Sequence, residues 1–197
     1  MSEDVLELQM LIRAAQKGDE NAFEALLTRY QTPVFRCVYA MLGNRADAED
    51  VTQEVFIKLW RTLPRYRFES AFLTYLLQIA KNAARDYLRA AKRRISAVEL
   101  TVQGDDGEMD ELPLADTAPE SRPDGAYLAA EKQEMLHRAL LALDLPLRQV
   151  IVLRAQEGMS YREIAHVLDL SEGTVKSRLN RAKNKLIKIL ENGNFFE

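Results

Sequence analysis

Two Glu-x-x-His units stand in the second half of the sequence, Glu134 to His137 and Glu163 to His166. Residues three apart share a helix face, and two such units on facing helices are the repeat from which di-iron bundles are built. That site also needs long helices and two further inward carboxylates, whereas His166 falls in a short segment between a start signal and a turn. Metal binding is therefore not expected. Cys37, the single cysteine, sits among Val34, Phe35 and Val38, cannot form an internal disulfide, and reads as a small core residue. The sequence has no glycine loop that would cradle a phosphate and no nucleophile-base pair. No enzyme activity and no cofactor follow from these residues.

Binding chemistry is far better represented. Ser160-Tyr161-Arg162-Glu163 is a capping box, in which Ser caps a helix start and Glu three residues on reaches back. Ile164, Ala165 and Leu168 would face inward, Asp169-Leu170 would turn the chain, and Ser171 would cap a second helix with Val175 and Leu179 inside. A small Ala165 lets two helices cross closely. This is a helix-turn-helix. Its second helix presents Thr174, Lys176, Ser177, Arg178, Asn180, Arg181, Lys183, Lys185 and Lys188, with no acidic residue between 173 and 190. Such a face suits a major groove, with the first turns meeting base edges and the later cations meeting phosphate.

Two further features lie upstream. Lys81, Arg85 and Arg89, followed by Lys92-Arg93-Arg94, recur nearly every four residues, a stripe that would follow a phosphate backbone. Before it, Tyr66-Arg67-Phe68-Glu69-Ser70-Ala71 places aromatics where an exposed loop is expected, and unpaired bases stack well on such rings. The competing expectation is that Tyr66 and Phe68 fold back as a local core. A third segment, Asp47 to Phe56, is acidic at its start, where the helix dipole favours acids, and its face is either solvated or docks a protein.

The elements that must position these groups are all helices. Apolar residues recur at spacings of three and four, as in Leu8, Leu11, Ile12, Ala15 and in Phe72, Leu76, Ile79, Ala83, Tyr87, and no alternating β-branched run appears. Gly18-Asp19 and Gly43 interrupt the pattern, Asp47 and Ser70 are expected to cap the helices they precede, and Pro64 ends the helix carrying Trp60. The net charge of −3 conceals an uneven distribution. Residues 1–94 carry +3, residues 95–126 carry −8 and residues 127–197 carry +2. The acidic stretch also holds Pro113, Pro119 and Pro123 with no apolar period, so it reads as a linker between two small all-α domains, 1–94 and 127–197. No apolar run approaches the roughly 20 residues of a membrane span, and the acidic start lacks the basic region of a signal peptide, so a cytosolic protein without membrane insertion is expected.

Taken together, Asp19 to Tyr30, Asp47 to Leu63, Ser70 to Tyr87 and Ser160 to Lys185 resemble the extracytoplasmic-function (ECF) sigma factors of the sigma-70 family. The resemblance implies sigma region 2 in 1–94 and sigma region 4 in 127–197, with binding to core RNA polymerase and to promoter DNA. It implies that Asp47, Asp50, Gln53, Glu54, Phe56, Ile57, Leu59 and Trp60 dock on the clamp helices of the β′ subunit. By the same resemblance, the loop from Tyr66 to Ala71, with Lys81, Asn82, Arg85 and Arg89, would take the −10 element and hold its strands apart. Thr174, Lys176, Ser177, Arg178, Asn180, Arg181 and Lys183 would read the −35 element, with the module resting on the β flap. An anti-sigma partner and a stress- or envelope-responsive regulon are also implied. Phe68 departs from the pattern, standing where the family commonly has a small residue, often glycine, and Tyr75 stands where tryptophan is frequent. The rival reading is a helix-turn-helix regulator that binds duplex DNA without being a polymerase subunit.

Overall fold

The computed structural model describes residues 3–99, 135–136 and 138–192. Among them are no strand and the α-helices α1 (Glu3–Gln16), α2 (Glu20–Leu42), α3 (Arg45–Thr62), α4 (Phe72–Glu99), α5 (Leu145–Ala155), α6 (Tyr161–Leu168) and α7 (Glu172–Asn192), with further helical residues at 135–136 and 138–141. The helix α4 runs five residues past the boundary read at 94. The rest of the expected linker, with Glu134 and His137, lies outside the described residues.

Local chemistry sets most of the boundaries. Asp19 caps α2 by accepting from Ala22 N at 3.0 Å, and Gly43 closes the same helix at φ 75°, with its N–H donating to Tyr39 O. Gly is needed there because a Cβ disfavours that left-handed backbone. Two expected caps are corrected. Asn44, not Asp47, caps α3, accepting from Asp47 N at 3.1 Å, because α3 begins two residues before Asp47. Ser70 does not start α4, which begins at Phe72, and its carbonyl accepts from the Tyr66 hydroxyl at 2.6 Å. Between α3 and α4, Leu63–Arg65 form a 3-10 turn with Pro64 in its first positions.

Pro33 lies inside α2 and removes one helical hydrogen bond, a loss of about 3 kcal/mol in an ordinary helix interior. The helix continues because its second half buries Val34, Cys37, Val38 and Met41. Each large apolar side chain so buried contributes roughly 1.5–3 kcal/mol.

The first four helices pack as one unit and the last three as another, yet the two do not stand apart as the charge distribution suggested. α2 packs against α5 and α4 against α6, so one continuous apolar core runs from Leu26, Leu59 and Leu76 to Leu153, Ile164 and Leu179. Ala80, Ala83 and Ala84 of α4 are all buried.

Candidate nucleic-acid and polymerase interface

The helix-turn-helix forms as its sequence dictates. Glu163 Oε2 accepts from Ser160 N at 2.8 Å and from Ser160 Oγ at 2.7 Å, and Glu163 N donates to Ser160 Oγ at 3.3 Å. These hydrogen bonds hold the Glu163 carboxyl below its ordinary range. Asp169 closes α6 in the left-handed region at φ 55°, and Ser171 Oγ accepts from Thr174 N at 3.1 Å to start α7. Val175, Leu179 and Ala182 point into the core. Lys176, Ser177, Asn180, Arg181 and Lys183 are exposed, and Arg178 and Thr174 are half-buried. Two hydroxyls of this face are already engaged. Thr174 Oγ1 lies 2.8 Å from Ser171 Oγ, and Ser177 Oγ donates to Thr174 O at 3.0 Å. Lys185 pairs with Asp144 at 2.9 Å, which keeps that carboxyl well below its usual range.

On α3, Arg45, Ala46, Glu49 and Arg61 are exposed, and so, of the residues expected to dock, are Asp50, Gln53, Glu54, Ile57 and Trp60. Their spacing of three and four residues places them along one stripe that mixes carboxylates with apolar surface. Ile57 is 54% exposed and Trp60 39%, the latter resting edge-on against Phe23 at 4.7 Å between ring centres. Asp47 is half-buried at the head of the stripe. Phe56 and Leu59, also expected to dock, are corrected: both are buried in the core, on the side of α3 that faces α2 and α4. A helix cannot offer these positions to a partner while they fill its own core.

The loop before α4 is built around Tyr66. Only 8% exposed, this ring lies 4.8 Å from Phe68, 5.5 Å from Phe72 and 4.8 Å from Tyr75. Burial, with Tyr30 and Tyr75 nearby, pushes its phenol above the ordinary value. Tyr66 is thus no free stacking platform, and the fold-back expectation describes it. Phe68 is half-buried at φ 60°, a backbone region that favours glycine, which gives the physical reason why a small residue suits this position. Arg67, Glu69 and Ala71 are exposed, and Ser70 is half-buried.

Along α4, Asn82, Arg85 and Arg89 are exposed, but Lys81 is not. It is buried in the seam between the two units, where its ammonium pairs with Asp169 of the helix-turn-helix. Gln78 Nε2 donates to His166 O at 3.1 Å beside it. A second charged pair crosses the seam: Arg36 Nε lies 3.0 Å from Glu157 Oε1, out of line for a hydrogen bond. Burial pushes the Glu157 carboxyl up, and the Arg36 charge only partly offsets it. Neither pair carries a sequence signal, because the partners lie far apart in the chain. Among the described residues no group of three or more His, Cys, Asp or Glu could hold a metal ion, and no helix is long and apolar enough to cross a membrane.

This is a helical chain with two units that each carry a candidate DNA surface, and its relatives define the class. The family model of Sigma-70 region 2 matches residues 26–94, and that of Sigma-70, region 4 matches residues 133–186. The ECF RNA polymerase sigma-E factor of Escherichia coli (strain K12) is 37% identical over 191 residues, covering 94% of this chain and 95% of the relative. The RNA polymerase sigma-H factor of Pseudomonas aeruginosa is 37% identical over 183 residues, covering 93% of each. Among solved structures, CnrH in complex with the cytosolic domain of CnrY is similar at a TM-score of 0.63 and 26% identity, covering 93% of this chain and 96% of that one. The chain belongs to the ECF sigma factors of the sigma-70 family. The rival regulator would need a sensory domain in the first half, where region 2 is matched instead.

Proposed function

We propose that this chain binds core RNA polymerase and directs it to promoters carrying a −35 and a −10 element, the polymerase supplying the chemistry of transcription. The observation that carries this reading is the pairing, in one chain, of an exposed acidic-apolar stripe on α3 with an exposed basic reading face on α7. A duplex-binding regulator has use for the second and none for the first.

Asp50, Gln53, Glu54, Ile57 and Trp60, with Asp47 at their head, dock on the β′ clamp helices. Lys176, Arg178, Asn180 and Arg181 read base edges of the −35 element, while Lys183 meets phosphate and the module rests on the β flap. Each good base contact contributes roughly 1–3 kcal/mol of discrimination. At the −10 element, Arg67, Glu69 and Ala71 of the loop, with Asn82, capture flipped bases. Tyr66, Phe68 and Ser70 shape that loop, and Arg85 and Arg89 follow the backbone. Lys81 joins them only after Asp169 releases it. The two units must part for both elements to be held, and the polymerase sets their separation. An anti-sigma factor that grips both units is the expected cytosolic regulator.

The test is run-off transcription on genomic fragments with core polymerase, with and without this protein. New transcripts that depend on the protein are expected. Their absence, with duplex binding intact, would leave the regulator reading in place.

A further inference from the structure

Helix α1 lies before the stretch that matches region 2, yet it grips the loop proposed to capture −10 bases. Gln16, its last residue, is half-buried and uses its side-chain amide twice: Nε2 donates to Leu63 O at 3.0 Å and to Tyr66 O at 2.8 Å. Those carbonyls are, respectively, at the start of the 3-10 turn and on the first residue of the loop. One NH2 group, with its two protons, thus ties both ends of the turn to α1 across about 50 residues of chain. One turn earlier, Arg13 lies on the same side, its guanidinium 5.6 Å from the centre of the Phe68 ring.

The grip matters because of what it holds. Phe68 occupies left-handed backbone that disfavours any residue with a Cβ, and such a conformation persists only when its surroundings over-determine it. Those surroundings include the Tyr66 ring, 4.8 Å from that of Phe68, and the Arg13 guanidinium, 5.6 Å from the same ring. α1 is itself pinned, because Ile12 and Ala15 are buried in the core on either side of Arg13. A rigid helix therefore fixes the backbone between Tyr66 and Phe68, leaving Arg67 and Glu69 exposed.

We propose that α1 is a splint for the −10 loop, with Gln16 and Arg13 as positioning residues that set base preference at the −10 element without touching DNA. The inference rests on the base-capture reading above, and its test separates the two. Holoenzyme assembled from core polymerase and full-length protein is run on a promoter library randomised at both elements, and base preference is read at every position. Gln16→Met and Arg13→Met are each expected to lower −10 discrimination about tenfold, within the range that one stacked base contributes, while −35 preference stays as in the wild type. Gln16→Lys, which can donate to both carbonyls, should restore the preference. Gln16→Glu, which can only accept, should not. Unchanged −10 preference in Gln16→Met and Arg13→Met would overturn the splint, as would an equal loss at both elements, which marks general unfolding. Should Gln16→Met fail to fold, the exposed Arg13 keeps the question open to measurement. A wild-type protein with −35 but no −10 preference would instead sink the base-capture reading itself.

Discussion

Lys81 of α4 and Asp169 of the helix-turn-helix turn, 88 residues apart in the chain, form an ion pair in which the cation's side chain is 9% exposed and the carboxylate's 71%. The pair is lopsided: the buried ammonium depends on its partner, while the carboxylate is already at home in water. On the reading proposed for the basic stripe, Asp169 occupies the place that a DNA phosphate would take.

Asp169→Asn should free that place. Asn tolerates left-handed backbone as well as Asp does, so the turn should survive. The hydrogen bond and the charge of Lys81 hold the Asp169 carboxyl below its ordinary range, so its grip should persist through neutral pH and fail only as the solution is acidified through that lowered value. We expect Asp169→Asn to bind a fluorescent single-stranded oligonucleotide severalfold more tightly at low salt, with the advantage fading as salt rises. Anisotropy titrations would show it; equal affinities at every salt concentration would mean the pair does not mask Lys81.

Cys37 offers a report on the same seam. Burial, reinforced by the Glu157 charge and opposed by Lys81, pushes its thiol up to about 12, so it is protonated and inaccessible in the closed protein. A thiol reagent at pH 8 should label native protein slowly and unfolded protein at once. Asp169→Asn should raise the native rate severalfold, whereas identical rates would place the opening elsewhere.

The Arg36–Glu157 pair makes a prediction with opposite signs for its two members. Burial raises the Glu157 carboxyl more than Arg36 lowers it, so the folded state holds this proton more strongly than the unfolded chain does. Its contribution then favours folding at low pH and is lost as pH rises through the raised value. At pH 7 Glu157→Gln should be neutral or stabilising. Arg36→Met strands a buried carboxylate and should cost about 1–3 kcal/mol. Urea unfolding at pH 7 decides the matter: a larger loss in Glu157→Gln than in Arg36→Met would reverse the balance argued here.

For the docking stripe, Asp50→Asn with Glu54→Gln should weaken capture of core polymerase at least tenfold while shifting stability little. Glu54 gives up only an exposed pair with Lys58 at 2.7 Å, and such pairs contribute about 0.3–0.5 kcal/mol. A pull-down with core enzyme and a thermal melt on the same preparation check both halves. Undiminished capture would remove α3 from the interface.

Most local signals are legible in the residues, the caps of α3 and α4 being misplaced by a few positions, and long-range ones are not. The Ser160 capping box, the Gly43 stop and the inward set Ile164, Val175 and Leu179 each depend on neighbours within a few positions. Period and cap chemistry therefore sufficed for an all-helical fold and for the reading helix. Tyr66 and Phe68 were ambiguous for a physical reason: aromatic residues in a loop look alike whether they wait for a base or fill their own pocket. The docking expectation extends to Phe56 and Leu59 because resemblance transfers a whole helix, while only its exposed stripe can touch a partner. Gln16, Arg36, Glu157 and the seam role of Asp169 gave no signal at all. Each acts on a residue at least 47 positions away, a relation that only the packed fold creates.

Holoenzyme footprinting with permanganate probing of a promoter obtained by run-off selection tests two-handed promoter reading most directly. Two protected blocks and reactive thymines at the downstream one are predicted for the wild type, with the upstream block lost in Arg178→Ala and Arg181→Ala. A single protected block, or an upstream block untouched by both substitutions, would contradict it.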